Sequence, residues 1–220
     1  MPLEPNGLKP IILLGAGGHA KVLLSLLQAK GFQVLGVTAP ELTASGAHAW
    51  RGIPVLPVGD DIRAYHPADV GLVNGVGELH ARRRLFERFK AHGYFFPVLI
   101  HPHACVDPSA TLHEGVQVMA GAVIQADACL GQNVLVNTQA SVDHDCIIEA
   151  HVHIAPGASV CGHVHVKEGA LIASGVTVVI GIQVGEGAIA GAGASIVRDI
   201  DPETVVLPAP VRQQKKKEHA

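Results

Sequence analysis

The chain has 220 residues, 16 Lys+Arg against 19 Asp+Glu, and a formal net charge of −3, so it carries no basic footprint for nucleic acid. Apolar residues make up 48% and charged residues 16%, which excludes a disordered chain. Aromatics are only 4%, so the apolar mass is Val, Ile, Leu and Ala, and the fold must pack small aliphatics densely. No apolar run reaches the roughly 18 residues of a membrane span, and no signal peptide is read. Cys105, Cys129, Cys146 and Cys161 lack CxxC spacing and read as reduced thiols of a cytoplasmic protein.

In chain order, Pro10–Leu14 is a buried-strand run followed by Gly15-Ala16-Gly17-Gly18-His19-Ala20. A helical pattern then runs through Val22, Leu23, Leu26 and Leu27 and ends at Gly31. Gln33–Thr38 reads as a second strand, and residues 39–68 as loops with short elements. Asp69–Val76 is a further strand. Glu78–His92 is a helix with Leu79, Leu85, Phe86 and Phe89 apolar and Arg82, Arg83, Arg84 and Arg88 polar. Phe95–Ile100 reads as the last strand. Strands alternating with helices predict a small parallel Rossmann-like α/β domain over residues 1–100, with a boundary near His101-Pro102.

The glycine stretch fits G-x-G-x-x-A between a strand and a helix, where backbone N–H groups and the helix dipole suit a pyrophosphate. A dinucleotide site wants an acid about twenty residues on. That place holds Thr38-Ala39-Pro40-Glu41, with Glu41 displaced. A nucleotide diphosphate is therefore favoured over NAD. The alternative is a tight turn without a ligand.

From Val106 a period of six begins: Val106, Leu112, Val118, Ile124, Leu130, Val136, Val142 and onward to Ile196, sixteen aliphatic anchors with no slip. Four positions after each anchor the residue is again small or aliphatic, from Ala110 to Ile200. Six does not match the 3.6-residue helical turn. A period of six instead reads as one side of a parallel β-solenoid, three sides closing a coil of eighteen residues and glycines turning the corners. This second domain is predicted over 101–212, a little over five coils, with a Lys-rich tail over 213–220.

Within it, Asp143-His144-Asp145-Cys146 puts Cys146 in the inward register and His144 near a solvent-facing corner. A histidine flanked by carboxylates is a candidate general base, although an ordinary surface histidine fits the spacing equally. His151, His153, His163 and His165 alternate by two along their strands and invite a zinc reading. No further ligand at clear spacing completes such a site, so no metal is expected.

The motifs GAGGHAKV, VGELHARRR, LIHPHACVDPSATL and VNTQASVDHDC leading to HIAPGASVCG closely resemble bacterial nucleotide-sugar acetyltransferases of the left-handed β-helix (hexapeptide-repeat) superfamily. The branch holds UDP-4-amino-sugar N-acetyltransferases and sialic-acid O-acetyltransferases, and the resemblance covers about residues 10–212. It implies an N-terminal domain for the nucleotide-sugar, then a left-handed β-helix. It also implies a homotrimer with acetyl-CoA between neighbouring β-helices, acting in surface glycan synthesis without a metal. By residue, it implies His144 as general base with Asp145 beside it, and Asn137 and His153 near the reacting groups. It implies His153, Gly162, Ser174, Gly191 and Ala192 along acetyl-CoA, with the Gly162 N–H on the thioester carbonyl. Gly17, Gly18, His19, Thr38 and Gly77 fall at the nucleotide-sugar loop and nearby contacts. Thr38-Ala39 stands where many relatives carry Asp, and Leu207–Arg212 replaces the usual G-V-P-A-K stretch. The expected activity is acetylation of the amine, in particular a 4-amine, of a UDP- or GDP-linked sugar. The alternatives are sugar O-acetylation, a zinc hydratase like the γ-class carbonic anhydrases, and a non-catalytic scaffold.

Overall fold

The computed structural model describes residues 9–57 and 59–208. Residues 209–212 of the predicted C-terminal stretch, and the tail 213–220, lie outside the described residues. The chain begins with β1 (Ile11–Leu14), α1 (Gly18–Ala29), β2 (Val34–Thr38) and a short α2 (Pro40–Ala44). The hairpin strands β3 (Ala49–Trp50) and β4 (Ile53–Pro54) follow, then β5 (Gly71–Asn74) and α3 (Leu79–Ala91). The main sheet is parallel with the order β2-β1-β5. β1 is buried at every position, covered on both faces, which is why it reads as an unbroken apolar run. α1 buries Leu23, Leu26 and Leu27 and leaves Val22 at the surface.

Two predicted features differ in the structure. Arg82, read with its neighbours as a polar face of α3, is 1% exposed. The cause is the helix's position: it packs Phe86 and Phe89 into the domain core, while Arg82 reaches the backbone carbonyl of Asn133 in the solenoid. Phe95–Ile100 is not one strand either. Phe95 bridges Gly71 at the edge of the first sheet, whereas Leu99–Ile100 pairs with Gln117–Val118 as the first solenoid strand. Pro97 between them has no N–H to carry a ladder on.

The remainder is a parallel β-solenoid whose two-residue strands form three ladders of six, five and seven strands. Strands pair with those eighteen residues on, as Ser141–Val142 does with Ser159–Val160, except at the end, where Ile189–Ala190 pairs with Val205–Val206 sixteen residues on. One strand at each end, Leu99–Ile100 and Val205–Val206, extends the predicted repeat. The anchors from Val118 to Ile196 and the positions four after them form one continuous buried core. Leu99, Met119 and Leu135, outside that core on the third ladder, join Leu23, Leu26 and Leu27 of α1 in a second cluster. The α/β domain is therefore seated on that ladder.

Three residues after each anchor the chain turns with a left-handed φ, from Gly115 to Gly193. Eight of these corners are glycine, but six are Asp127, Asn133, Gln139, Asp145, His151 and His163. Among the described residues no helix is long and apolar enough to cross a membrane.

Candidate active site

The strand Ser141–Val142 delivers the chain into a corner that carries His144 and Asp145. Cys146 closes it and is buried in the core, as its register predicts, with its thiol pushed up to about 11 by burial. His144 Nδ1 lies 2.8 Å from Asp145 Oδ2, and both side chains are 46% exposed. That pairing, with the Asp143 charge behind it, raises the imidazole above its ordinary range. A proton on Nδ1 facing the carboxylate leaves Nε2 as a bare acceptor.

The ring's seat is Gly162, one coil further on. A Cβ there would stand 2.5 Å from His144 Cε1 and 2.6 Å from Nε2, so only glycine leaves room for the imidazole. The Gly162 N–H has no acceptor among the described residues.

Sequence reading missed His163 as a neighbour of this pair. Its ring stands edge-to-face on His144 at 5.1 Å, and its Nε2 lies 3.6 Å from Asp145 Oδ2. The signal was available: 163 is eighteen after 145, one coil below. The ligand atoms of His144, Asp145 and His163 all lie within 4.8 Å of one another, a donor set compact enough for a divalent transition metal. The four histidines weighed for zinc do not converge. His151 bonds Asn133, His153 bonds Asn137, and His165 bonds Glu149, while His163 alone faces the Asp145 corner.

A second group of predicted residues meets where α3 starts above the third ladder. A groove of about 500 Å³ is lined by Gly77, Glu78, His80, His153, Ser174 and Ala192, among others. His153 accepts at Nε2 from Asn137 Nδ2 at 3.3 Å, an orientation set because Asn137 Oδ1 accepts the Thr138 N–H. Burial first, and then the charge of Arg82, pull His153 down to about 4, so it is neutral. Gly191 is placed differently. It is buried under the last strand, where a Cβ would meet the Val206 carbonyl at 2.8 Å, and it does not line the groove.

Towards the α/β domain, a cleft of about 390 Å³ is lined by Gly15, Gly17, Gly18, His19, Glu41 and Gly77. It shares Gly77 with the groove. It shares Gly15, Pro40 and Val76 with a further cavity of about 510 Å³, on which Thr38, Arg84, Arg88 and Phe89 also border. The Thr38 hydroxyl is held by the Pro57 carbonyl at 3.2 Å. A Cβ on Gly17 or Gly18 would meet nothing within 4 Å, so these glycines keep space open rather than solve a packing problem. α1 begins there with no side-chain cap and no acid in its first turn. Its first N–H groups therefore face the cleft with their positive end unmatched, a setting for an anion.

The three cavities thus run in sequence from the α/β domain to the solenoid. The His144 corner stands apart from them. It joins the first and second ladders, whereas His153 stands on the third. One chain does not bring them together.

Residues 10–89 match the PglD N-terminal domain family. The chain is 36% identical over 115 residues to the UDP-N-acetylbacillosamine N-acetyltransferase of Bacillus subtilis (strain 168), and this match spans 52% of that relative's length and 51% of the chain. It is 38% identical to the acetyltransferase domain of PglB from Neisseria gonorrhoeae FA1090, solved in complex with acetyl coenzyme A, covering 92% of this chain and 98% of that one at a TM-score of 0.85. It is 32% identical to a histidine-to-asparagine mutant of perosamine N-acetyltransferase from Caulobacter crescentus, solved with CoA and GDP-perosamine, covering 94% and 97% at a TM-score of 0.85. The chain belongs to the left-handed β-helix nucleotide-sugar N-acetyltransferases. In this chain the regular half is the left-handed β-helix, and residues 10–89 of the other half are the PglD-type domain.

Proposed function

We propose that the chain transfers acetyl from acetyl-CoA to the amine, in particular a 4-amine, of a nucleotide-linked deoxy-amino sugar. The observation that carries this reading is the His144–Asp145 pair, with a bare Nε2 seated over Gly162 at an exposed corner. In the reaction the amine nitrogen attacks the thioester carbonyl carbon, the C–S bond breaks, and His144 Nε2 takes the nitrogen's proton. The charged ring is stabilised by Asp145 and returns the proton to the departing thiolate. The Gly162 N–H is free to stabilise the developing oxyanion.

The cavities support a division of labour between residues 1–100 and 101–212. The open first turn of α1 suits a diphosphate, the Thr38 and Arg84 cavity takes the nucleoside end, and the groove along His153, Ser174 and Ala192 takes acetyl-CoA. Gly77 is common to the cleft and the groove, where sugar and thioester would meet. Because His144 stands on a different edge from that groove, the reading requires a neighbouring subunit to supply the base, as in a homotrimer. Light scattering that gave a monomer of 22.9 kDa would contradict it. Both substrates are cytoplasmic metabolites, and surface glycan synthesis is the process that consumes such a product.

The test is thiol release from acetyl-CoA with a panel of UDP- and GDP-linked 4-amino sugars, with mass detection of product. One turned-over amine supports the reading and identifies the nucleotide. Turnover only on hydroxyl acceptors would overturn it in favour of O-acetylation.

A further inference from the structure

His19 is half-buried in the cleft, and its Nε2 lies 2.9 Å from Gln117 Oε1. The Gln117 amide has one possible orientation. Its Nε2 donates to the Asn74 carbonyl at 3.0 Å, and its Oε1 accepts from Arg82 Nη1 at 3.2 Å. A carbonyl only accepts and a guanidinium only donates, so turning the amide over would lose both bonds. Oε1 can then only accept from His19. The proton must sit on His19 Nε2, and Nδ1 is left as a lone pair with no partner among the described residues.

The lock is buried: Gln117 is 3% exposed and Arg82 is 1% exposed. Arg82 also donates to the carbonyls of Asn74 and Asn133 at 3.0 and 3.4 Å, so its described acceptors are all uncharged oxygens. Its charge is felt by His19, by His153 and, more weakly, by His151. Burial, and then that charge, hold His19 down to about 4, so it stays uncharged at neutral pH.

We propose that Arg82 and Gln117 are positioning residues that lock His19 as its Nε2–H tautomer, so that Nδ1 accepts a hydrogen bond from an N–H or O–H of the bound sugar. The identity of that donor rests on the nucleotide-sugar reading; the lock itself does not. An uncharged acceptor in the cleft sorts the ligand's ends. It offers a phosphate no proton from Nδ1, and it pairs with an amine or hydroxyl, while the first turn of α1 remains for the diphosphate.

The direct test is ring-nitrogen NMR on the ligand-free, full-length, ¹⁵N-labelled protein. His19 should show a pyridine-like Nδ1 and a pyrrole-like Nε2 from about pH 5 to pH 8. A protonated Nδ1, or a ring that titrates near its ordinary 6.5, would overturn the proposal. Gln117→Leu should admit the second tautomer and raise KM for the amine acceptor turned over in the panel about tenfold, with KM for acetyl-CoA unchanged. Gln117→Glu keeps an acceptor for His19 and Arg82 and gives up the bond to the Asn74 carbonyl. It should retain the Nε2–H form, move the ring's titration upward, and recover much of the lost KM. An unchanged tautomer and KM in Gln117→Leu would overturn the proposal. Because the spectra need no substrate, failure of every amine acceptor would count against the nucleotide-sugar reading and leave the lock to its own test.

Discussion

Two stretches of the solenoid share one core and differ at their corners. From Asp127 to His163 six of seven corners are non-glycine residues in the left-handed region, and from Gly169 to Gly193 every corner is glycine. Inward positions are aliphatic or Cys146 in both stretches, so the fold does not require the difference. A side chain in that conformation costs on the order of 1–2 kcal/mol, which glycine avoids. The strained stretch holds Asp145 and His163, the two groups that bracket the His144 side of the site. The glycine stretch runs below it and supplies coil, together with the Ser174 and Ala192 part of the groove wall. Strain is thus accepted where polar groups are placed and absent where only turning is needed.

The comparison breaks most visibly at Gly162, whose role is space rather than backbone freedom. Gly162→Ala should displace the His144 ring and lower turnover by about 10²-fold or more, with little loss of thermal stability. A rate within twofold of wild type would show that the seat is not needed.

A smaller loss, about tenfold, is expected of Asp145→Asn, which keeps the shape and removes the charge. His144 must be neutral to act, and Asp145 raises its pKa, so the acid limb of the wild-type rate lies above the ordinary 6.5. The variant's limb should move down toward that value in a pH–rate profile. The same sign governs stability. The pairing supports the fold below the unfolded pKa, and that support is lost as pH rises through the raised one.

Opposite stability effects should separate the two stretches. Gly175 has a φ of +67°, and a Cβ there meets nothing within 4 Å, so Gly175→Ala isolates backbone strain and should cost about 1–2 kcal/mol in denaturant unfolding. Asp127→Gly, in the polar stretch, should gain about 0.5–1 kcal/mol, the relief of strain being partly offset by glycine's chain entropy. A further stability effect lies outside the solenoid. The Glu78 carboxylate accepts the His80 and Ala81 N–H groups at the start of α3, which holds it below its ordinary 4.5. Glu78→Ala should cost about 1 kcal/mol near neutral pH. That difference should shrink as pH falls below 4.5 through the lowered value.

The solenoid was legible because its core repeats one instruction. Val142, Val160 and Val178 occupy the same place in successive coils, and Cys146 follows the same register. Corner chemistry was legible only in part. The exposure of His144 followed from its position, but the reason for Gly162 lies in a ring from the previous coil, which no local pattern carries. His163 was readable from the eighteen-residue coil once Asp145 was in view. Arg82 was misread because it sits in a row of three arginines. Its spacing to Phe86 and Phe89, four and seven residues on, places it on the buried face of α3, and that periodicity outweighs its charge. The split of Phe95–Ile100 between two sheets depends on a partner strand at Gln117–Val118, beyond the reach of any window along the chain.

The central claim is that His144 takes the proton as an amine attacks acetyl-CoA. Its most direct test compares kcat/KM of wild type and His144→Asn on the same nucleotide-linked 4-amino sugar, following CoA release and product mass together. The account predicts a 10²–10⁴-fold fall in a protein that still binds CoA and keeps its melting temperature. A variant that acetylates the amine at the wild-type rate would contradict it.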